Sequence, residues 1–401
     1  MIDYEKPILD KDGKPIKIGI LGFHHCIRCI RIAESLKSVG YEVYGNGNKA
    51  AYGSNVYDSY FLFKDEKQFK HNVKVMIECG VKIFEWQNEP HHPAVWIREV
   101  INEMGKQDEI KLISNVHDSD MIRRDVASKV ELEMIRVSDA VIYVSNPIQS
   151  KLNYIYNVTS PTMVLYNYPT KRMIDGTEVD WDNAYSREGM VYEGGINAIS
   201  DSAEVQRVNS ILKYRDLFPI FKRLIEMGNE VHAYSGNSDA YHSGQHTGVI
   251  LHPPTEFDKL LQELTRFRYN LVIFNNENGT ENQVNYTTAN KIWDGLAAGV
   301  PSIACYCEEM QKYIIKHNIG ISVNNLNDIK DSKQFDYKYN ELVDSVRKKR
   351  KELIFENQIW RTENLYAEVL GVEKKGIPDN IKEQAIFEYG EDSVNKLLYI
   401  K

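Results

Sequence analysis

Short apolar runs rich in β-branched residues alternate with helical patterns along almost the whole chain, and this alternation occurs twice. In the first half it predicts strands at 16–23, 41–44, 60–63, 81–84, 110–116, 140–145 and 162–166, with helices at 27–39, 68–79, 94–104 and 121–137. Strands that are apolar on both faces suit a parallel sheet covered by helices. We therefore expect a doubly wound α/β domain here, with right-handed crossovers between its strands.

A polar segment around 169–189 interrupts this pattern, and the alternation then starts again. It predicts strands at 190–193, 230–234, 249–252, 271–274, 302–305 and 320–323, and helices at 209–227 (with a break allowed at Pro219), 256–267, 289–298, 308–317 and 337–355. A chain of 401 residues is too long for one ordinary domain. We expect two Rossmann-like α/β domains that face a cleft, at 1–170 and 189–358, joined by a linker at 171–188. Ligands bind at the carboxyl ends of the strands in such folds, which places the predicted site in that cleft.

The composition narrows the class of protein. A formal net charge of −8 argues against a general nucleic-acid binder, because neutralising phosphates needs a surplus of lysine and arginine. No apolar run reaches the roughly 18 residues that a transmembrane helix needs, and the charged N-terminus contains no signal-peptide core. The five cysteines, an odd number, are expected to be reduced. These features predict a soluble, cytoplasmic enzyme.

Glycines follow the first predicted strand of each half. Gly22 ends the first strand of the chain, and Gly194 and Gly195 follow the first strand of the second half. A residue without a side chain lets a ligand approach the backbone and the next helix, and twin glycines suit a phosphate. Lys213 and Arg215, close to the next helical pattern, would add positive charge. The alternative is an ordinary tight turn between a strand and a helix.

The segment 285–301 combines a helix start, a lysine and a carboxylate. Thr287 or Thr288 is a suitable N-cap for the predicted helix. Lys291 and Asp294 are three residues apart and therefore share one helical face. The helix dipole and the lysine would bind a pyrophosphate, and the carboxylate would accept from ribose hydroxyls, which suits a sugar nucleotide. The alternative is a surface Lys–Asp pair on an ordinary helix.

The same segment resembles part of a known enzyme family. Residues 290–303 read NKIWDGLAAGVPSI, which is similar to the donor-site segment of the retaining, group 1 (family four-like) glycosyltransferases of GT-B fold. Further stretches resemble motifs of this family and follow one another in the family's order, at 86–90 (WQNEP), 115–118 (NVHD), 141–145 (VIYVS), 166–169 (YNYP) and 360–370 (WRTENLYAEVL).

This resemblance implies an enzyme that moves a hexose or pentose from a nucleoside-diphosphate sugar to a hydroxyl acceptor, without a metal ion or cofactor. In such enzymes the acceptor attacks the face that the nucleotide leaves, a β-phosphate oxygen serves as the base, and the protein positions the substrates. Residues 359–401 would hold a crossing helix and a tail that return to the first domain. Two features depart from the family: Tyr286 stands where many members carry a glutamate, and 197–213 looks like an insertion.

The resemblance, together with the glycine turns, gives a set of candidate site residues. His117 would orient hydroxyls of the donor sugar, although a histidine at a strand end is otherwise more often structural. The donor-binding residues are expected to be Gly22, Gly194, Gly195, Lys213, Arg215, Thr288, Asn290, Lys291 and Asp294. The acceptor side is expected to hold His24, His25, Asn88, Glu89 and His91.

No metal site is predicted. The run HHCIRC at 24–29 suggests zinc, but it has no second pair of ligands at finger spacing. Cys26 and Cys29 lie on an apolar helical face and are interpreted as core residues, as are Cys305 and Cys307. The Asp-x-Asp motif at 180–182 does not follow a strand, so we discount it as a metal motif.

Two other functions remain open at this stage. One is a catalytically silent module that binds a sugar nucleotide, which the tyrosine at 286 favours. The other is a glycosyltransferase that acts on modified bases in phage-type DNA. The remaining acceptor classes are a glycan, a lipid-linked molecule and a small molecule.

The basic run at 347–351 is interpreted as a solvated helix surface, with contact to an anionic surface such as a membrane or nucleic acid as the alternative.

Overall fold

The computed structural model of the chain describes residues 4–23, 26–50, 52–331 and 333–399. The chain divides into two compact units, and each contains one parallel β-sheet. The first unit comprises the chain up to Thr170 together with the chain from Ile354 onward, and the second comprises Lys171–Leu353. The prediction of two Rossmann-like α/β domains is confirmed.

The described residues of the first unit form seven parallel strands. In chain order they are β1 (Lys17–Gly22), β2 (Glu42–Gly47), β3 (Ser59–Leu62), β4 (Val81–Gln87), β5 (Lys111–Val116), β6 (Ala140–Tyr143) and β7 (Thr162–Val164). Their order in the sheet is β3-β2-β1-β4-β5-β6-β7. The direction of winding reverses between β1 and β4, where Gly22 pairs with Gln87, which in turn pairs with Asn115 of β5. Ligands bind at such a reversal in open α/β sheets.

The described residues of the second unit form six parallel strands with the same winding. They are β8 (Glu188–Glu193), β9 (Val231–Tyr234), β10 (Ile250–His252), β11 (Phe267–Ile273), β12 (Ser302–Cys305) and β13 (Gly320–Ser322). Their order, β10-β9-β8-β11-β12-β13, repeats that of the first six strands of the other sheet. The reversal here lies between β8 and β11, so the turn after β8 occupies the position of the turn after β1.

Eighteen α-helices surround the two sheets within the described residues. They are α1 (Ile27–Ser38), α2 (Glu66–Glu78), α3 (Pro93–Glu103), α4 (Asp120–Arg124), α5 (Lys129–Val137), α6 (Asn146–Tyr156), α7 (Lys171–Asp175), α8 (Ala203–Ile211), α9 (Phe218–Glu226), α10 (Ser238–Ser243), α11 (Phe257–Leu264), α12 (Asn282–Tyr286), α13 (Asn290–Ala297), α14 (Glu308–His317), α15 (Asp336–Glu352), α16 (Ile359–Leu370), α17 (Asp379–Tyr389) and α18 (Glu391–Leu398).

Three predicted helices differ from the observed ones for local reasons. The predicted helix 121–137 is two helices, because Asp125 adopts a left-handed conformation with φ 51° and the Ser128 hydroxyl caps α5. The predicted helix 209–227 is also two, with Pro219 in the first turn of α9, where its missing N–H leaves no hydrogen bond unmade. The predicted helix 256–267 is too long, since α11 ends at Leu264 and β11 begins three residues later.

The segment predicted to be a linker, 171–188, groups with the second unit and contains α7. Its Arg187 donates a hydrogen bond of 2.8 Å to the carbonyl of Gly299. Its Tyr185 hydroxyl donates one of 2.6 Å to Asp344 on α15. These contacts attach the segment to helices of the second unit along much of its length.

The basic run on α15 is not a continuous exposed surface. Arg350 is buried, and its guanidinium donates hydrogen bonds of 2.7–2.8 Å to the carbonyls of Ala297, Ile174 and Thr177. The pKa of this guanidinium is lowered to about 10, chiefly by burial. At neutral pH it remains charged, and it fixes α15 against the rest of the second unit.

Candidate functional site

The turn after β8 brings two glycines against two cations. Gly194 has φ 127°, a conformation that side chains disfavour, and a Cβ at this position would lie 2.5 Å from Nζ of Lys291. A Cβ on Gly195 would lie 3.1 Å from a terminal guanidinium nitrogen of Arg215. The absence of both side chains therefore lets the backbone of this turn approach the two positive groups.

Lys291 is buried at this turn and keeps its charge. Its Nζ lies 4.8 Å from the ring centroid of Tyr192 and 5.2 Å from that of Phe274, so that both aromatic faces support the ammonium. Burial alone would lower the pKa of Lys291, but the neighbouring Tyr192 and Glu193 outweigh it and raise the pKa above its usual value. A buried lysine that stays cationic is suited to bind an anion.

Arg215 is held by its own short 3₁₀-helix. Its carbonyl accepts a 2.9 Å hydrogen bond from the backbone N–H of Asn197, and its guanidinium lies 5.6 Å from the ring of Tyr214. The backbone N–H of Asn275, just after β11, donates to the Tyr214 carbonyl. Lys213, predicted to join this site, is exposed to solvent at the start of the same 3₁₀-helix.

Helix α13 carries the lysine and starts later than predicted. Ala289 is the N-cap, so the prediction that Thr287 or Thr288 caps this helix is wrong. Ala289 forms no side-chain cap hydrogen bond. The N–H groups at the start of a helix attract anions, and this turn contains Asn290 and Lys291.

The rest of α13 packs tightly on β11. A Cβ on Gly295 would lie 2.5 Å from the side-chain nitrogen of Asn270, and that nitrogen donates a 2.8 Å hydrogen bond to the Lys291 carbonyl. Asp294, one turn after Lys291 on the same face, is buried with only 2% of its surface exposed. Thr288 is also buried, 4% exposed. The alternative of a surface Lys–Asp pair is wrong, because both side chains are buried.

At the carboxyl end of the first sheet, Asn88 connects the ends of β4 and β5. Its backbone N–H donates a 3.1 Å hydrogen bond to the carbonyl of Asn115, and its side-chain oxygen accepts one of 2.9 Å from the N–H of His117. Its side-chain nitrogen donates to the carbonyl of Asp118. The predicted acceptor-side residue Asn88 thus fixes the backbone on which His117 lies.

An arginine with two carboxylates, and a histidine with an aspartate, lie close to Asn88. Arg123 forms ion pairs with Glu89 and, at 2.9 Å, with Asp118. The Nε2 of His91 lies 3.4 Å from a carboxylate oxygen of Asp120. The structure therefore places Asn88, Glu89, His91 and His117 close together at one edge of the first sheet, and their roles stay predictions.

A buried polar network lies beneath these residues. Asn115 accepts a 2.8 Å hydrogen bond from Nε of Arg28 and donates one of 2.8 Å to Glu85. Gln87 also donates to Glu85, at 2.6 Å. Burial raises the pKa of Glu85 above its usual value, although hydrogen bonds from Tyr366 and Asn115 oppose this. The apolar runs that predict β4 and β5 do not predict this network.

Gly22 is the last residue of β1 and lies at the same edge of the first sheet. Gly22 lies in the first unit, and its N–H donates a 3.3 Å hydrogen bond to the side chain of Asn46. His24 and His25, predicted on the acceptor side, lie outside the described residues. Cys26 follows at the start of α1, with its Sγ 3.5 Å from that of Cys29.

The described residues contain neither a cluster of metal ligands nor a helix that could cross a membrane. Within 4–23, 26–50, 52–331 and 333–399, no group of three or more histidine, cysteine, aspartate or glutamate side chains is placed to hold a metal ion. No helix in the same parts of the chain is long and apolar enough to cross a membrane.

A family comparison matches part of the second unit. The model of the family described as glucosyltransferase 3-like, C-terminal domain, matches residues 218–357. This range includes Lys291 and Asp294, whereas Gly194, Gly195 and Arg215 precede it. No curated protein sequence is significantly similar to the chain.

Solved structures match almost the whole chain at low sequence identity. AviGT4, a glycosyltransferase involved in avilamycin A biosynthesis, is 9% identical with a TM-score of 0.55, over 90% of this chain and 100% of that chain. An α-glucosyltransferase in complex with UDP-glucose and DNA containing an abasic site is 10% identical with a TM-score of 0.52, over 93% and 99%. WaaG, a glycosyltransferase involved in lipopolysaccharide biosynthesis, is 8% identical with a TM-score of 0.50, over 87% and 99%.

These similarities extend over both units, and they agree with the two sheets described above. The chain therefore has the GT-B fold of two Rossmann-like domains, and its second unit contains a segment similar to the C-terminal domain of glucosyltransferase 3-like proteins.

Proposed function

We propose that the chain is a retaining glycosyltransferase that binds a nucleoside-diphosphate sugar at the carboxyl end of its second sheet. The observation that carries this proposal is the approach of Lys291 and Arg215 to the backbone of the Gly194–Gly195 turn. A diphosphate is a compact dianion, and charge-assisted hydrogen bonds from an ammonium and a guanidinium are among the strongest that a protein offers. The first turn of α13, which carries Lys291, would add backbone N–H groups and the positive end of the helix dipole.

This arrangement also fits the chemical step. When the bond between the sugar and the diphosphate breaks, negative charge develops on the leaving β-phosphate. The buried ammonium of Lys291 stabilises that charge more strongly than an ammonium in water would. Because the two aromatic rings already hold it in place, its surroundings need no reorganisation during the reaction. We propose that Lys291 and Arg215 thereby perform the charge neutralisation for which other glycosyltransferases use a divalent metal ion.

Other residues of the second unit would hold the nucleoside. Asp294 lies one helical turn after Lys291, and its carboxylate would accept hydrogen bonds from ribose hydroxyls. Thr288 and Asn290 flank the start of the same helix. We keep Lys213 as a peripheral contributor, because it is exposed and would meet only the outer part of a nucleotide.

The first sheet would supply the acceptor side of the reaction. His117 would orient hydroxyls of the donor sugar, as the family resemblance implies, and Asn88 holds its backbone in place. Glu89 and His91 offer a carboxylate and an imidazole to a hydroxyl acceptor. A β-phosphate oxygen would remove the acceptor proton, so that the new bond forms on the face that the nucleotide leaves and the anomeric configuration is retained.

Donor binding is tested by thermal shift with a panel of UDP-, GDP-, ADP-, CDP- and dTDP-sugars. A ligand that binds only the folded protein at 100 times its Kd stabilises it by about 2.7 kcal/mol. We expect one donor to raise the Tm of the wild type and of Lys222→Met, whose lysine is exposed on α9. The same donor should not raise the Tm of Lys291→Met, which keeps the aliphatic stem but loses the charge. Equal shifts in both variants, or no shift with any donor, would contradict the proposed site.

Transfer is tested with the donor that binds. The acceptor panel contains glycans, lipid-linked molecules, small alcohols and duplex DNA with hydroxymethylated bases, and NMR of the product gives the anomeric configuration. The DNA arm is included because one structure of similar fold is an α-glucosyltransferase in complex with UDP-glucose and DNA. Donor binding without turnover on any acceptor would favour the silent binding module, and an inverted product would overturn the proposed retention.

A further inference from the structure

Two cysteines at the start of α1 form a close pair that the proposed reaction does not use. Cys26 is the N-cap of α1, Cys29 lies in its first turn, and their Sγ atoms are 3.5 Å apart. Cys26 is half-buried, whereas Cys29 is fully buried, and both are free thiols in this structure. One accessible and one inaccessible thiol, one helical turn apart, are within reach of a disulfide after a small movement of the side chains.

The surroundings favour a thiolate on the outer cysteine. A hydrogen bond from Cys29 lowers the pKa of Cys26 most, burial opposes it, and the nearby His117 and backbone N–H groups of α1 lower it further. The pKa of Cys29 is raised well above its usual value, because its proton is held by Cys26 and because it is buried. The pair thus consists of one nucleophilic sulfur and one protonated sulfur behind it.

We propose that Cys26 and Cys29 are a redox-active dithiol that a peroxide converts into a reversible intramolecular disulfide. In the first step the Cys26 thiolate attacks a peroxide oxygen, the O–O bond breaks, and hydroxide leaves to become water. Cys26 is then a sulfenic acid. In the second step the Cys29 sulfur attacks Cys26 Sγ, the S–O bond breaks, and the hydroxide that leaves takes the Cys29 proton. Two thiols are oxidised by two electrons in total, and the peroxide is reduced to two water molecules.

A second cysteine pair in the chain shows that proximity in sequence does not create this chemistry. Cys307 is also the N-cap of a helix, α14, but it is fully buried and its Sγ donates a 3.2 Å hydrogen bond to the carbonyl of Val272. Burial raises the pKa of Cys307 well above its usual value and that of Cys305 to about 12. Cys305 and Cys307 therefore serve as an internal negative control, and the exposed Cys79 serves as an accessible one.

The modification would act on the candidate site of the first sheet. Oxidation would remove a negative charge beside His117 and would join the N-cap residue of α1 to its first turn. The same helix carries Arg28, which donates to Asn115 at the end of β5. The disulfide itself forms whether or not the chain transfers a sugar, so its detection does not depend on the proposed function.

The test treats the full chain with hydrogen peroxide, unfolds it, and counts free thiols by alkylation and intact mass. The reduced protein has five cysteines and takes five labels. We expect three labels after oxidation, with Cys26 and Cys29 located in one disulfide by peptide mapping, and five again after treatment with dithiothreitol. A count that stays at five, or protection of Cys305 and Cys307 instead, would overturn the proposal.

Two variants and one native-state measurement separate chemistry from folding defects. Cys26→Ser should keep its remaining four thiols under peroxide, and Cys29→Ser should accumulate a sulfenic acid at Cys26 that dimedone traps. In the native wild type at pH 6, iodoacetamide should label Cys26 at least about tenfold faster than the more exposed Cys79, because the thiolate is the reactive form. Faster labelling of Cys79 would contradict the proposal even if neither variant folds.

Discussion

The two sheets wind in the same order, yet their carboxyl ends carry different chemistry. Beside β8 and β11, the cations Lys291 and Arg215 face the backbone of a glycine turn. Where β4 and β5 end, Arg123 is paired with Glu89 and Asp118. We therefore expect the second sheet to bind an anion at its carboxyl end, and the first sheet to bind a ligand with hydroxyl groups. The strand order determines where a site can form, and the side chains at the strand ends determine which ligand it binds.

The backbone of the second turn adds a steric condition. The N–H groups of Gly22 and Gly194 both donate hydrogen bonds, to the side chain of Asn46 and to the carbonyl of Tyr234, but Gly194 also has a positive φ and no room for a Cβ beside Lys291. The turn after β8 is therefore built around the absence of a side chain. A substitution that adds a single carbon at Gly194 should therefore have a large effect on donor binding.

The largest effect is expected for Gly194→Ala. The new Cβ would meet Nζ of Lys291 at 2.5 Å, and a positive φ costs a non-glycine residue about 1–3 kcal/mol. Displacement of the ammonium should weaken donor binding at least about 100-fold, which corresponds to about 2.7 kcal/mol. Calorimetric titration with the donor that stabilises the wild type measures this loss.

Gly228→Ala is the matched control for that substitution. Gly228 also has a positive φ, 86°, but a Cβ there would have no atom within 4 Å. It should lower the Tm through backbone strain and leave the Kd for the donor unchanged. If both variants lost binding equally, general destabilisation rather than the contact with Lys291 would explain the result.

The next effect, on the other sheet, is expected for His117→Ala. Removing this imidazole should lower the rate of transfer by about 100-fold, in the range of a positioning or proton-transfer contact. The Kd for the free nucleoside diphosphate should stay the same, because the diphosphate would bind to the second unit. His71→Ala, at an exposed position of α2, is the control and should leave both quantities as in the wild type. A lost affinity for the diphosphate in His117→Ala would contradict the separation of roles between the sheets.

The regular parts of both units were predictable from the sequence. The thirteen strands described here all overlap predicted apolar runs, because buried parallel strands are apolar on both faces. Helix ends were less predictable, since Asp125 and Phe267 change the backbone through local conformation and strand pairing. Helix α6 was missed although Ser145 caps it and a proline stands in its first turn, which is a recognisable start signal.

The candidate site was predictable in part. The resemblance of 290–303 selected Lys291 and Asp294, but nothing in the spacing showed that Tyr192 and Phe274 surround the ammonium. Such contacts join residues that are distant along the chain. The pattern places the cysteines at 26 and 29 on one apolar helical face, and a sequence does not show that Cys29 is buried whereas Cys26 is half-buried beside it.

The smallest effect is expected at the outer edge of the second sheet, and it concerns pH. Nε2 of His252 lies 2.9 Å from Nδ1 of His232, and its ring stacks on Tyr234 with the centroids 4.1 Å apart. Burial first, and then the neighbouring His232, lower the pKa of His252 below its usual value. The first sheet carries no such pair of stacked histidines among its described residues, so mild acid should weaken this edge through a contact that the first sheet lacks.

The sign follows from proton linkage. A histidine in the unfolded chain binds a proton near pH 6.5, whereas the folded His252 binds one only at lower pH, so the unfolded state holds more protons in between. The contribution of His252 should therefore leave the free energy of unfolding unchanged above about pH 6.5. Below that pH the free energy of unfolding should decrease as the pH falls. Burial also lowers the pKa of His92 in the first unit, so His252→Gln is needed to isolate the second. Urea unfolding between pH 7.5 and 5.5 should show a shallower loss of stability in His252→Gln than in the wild type. If the free energy of unfolding fell equally with pH in both proteins, His252 would not be the source of the acid sensitivity.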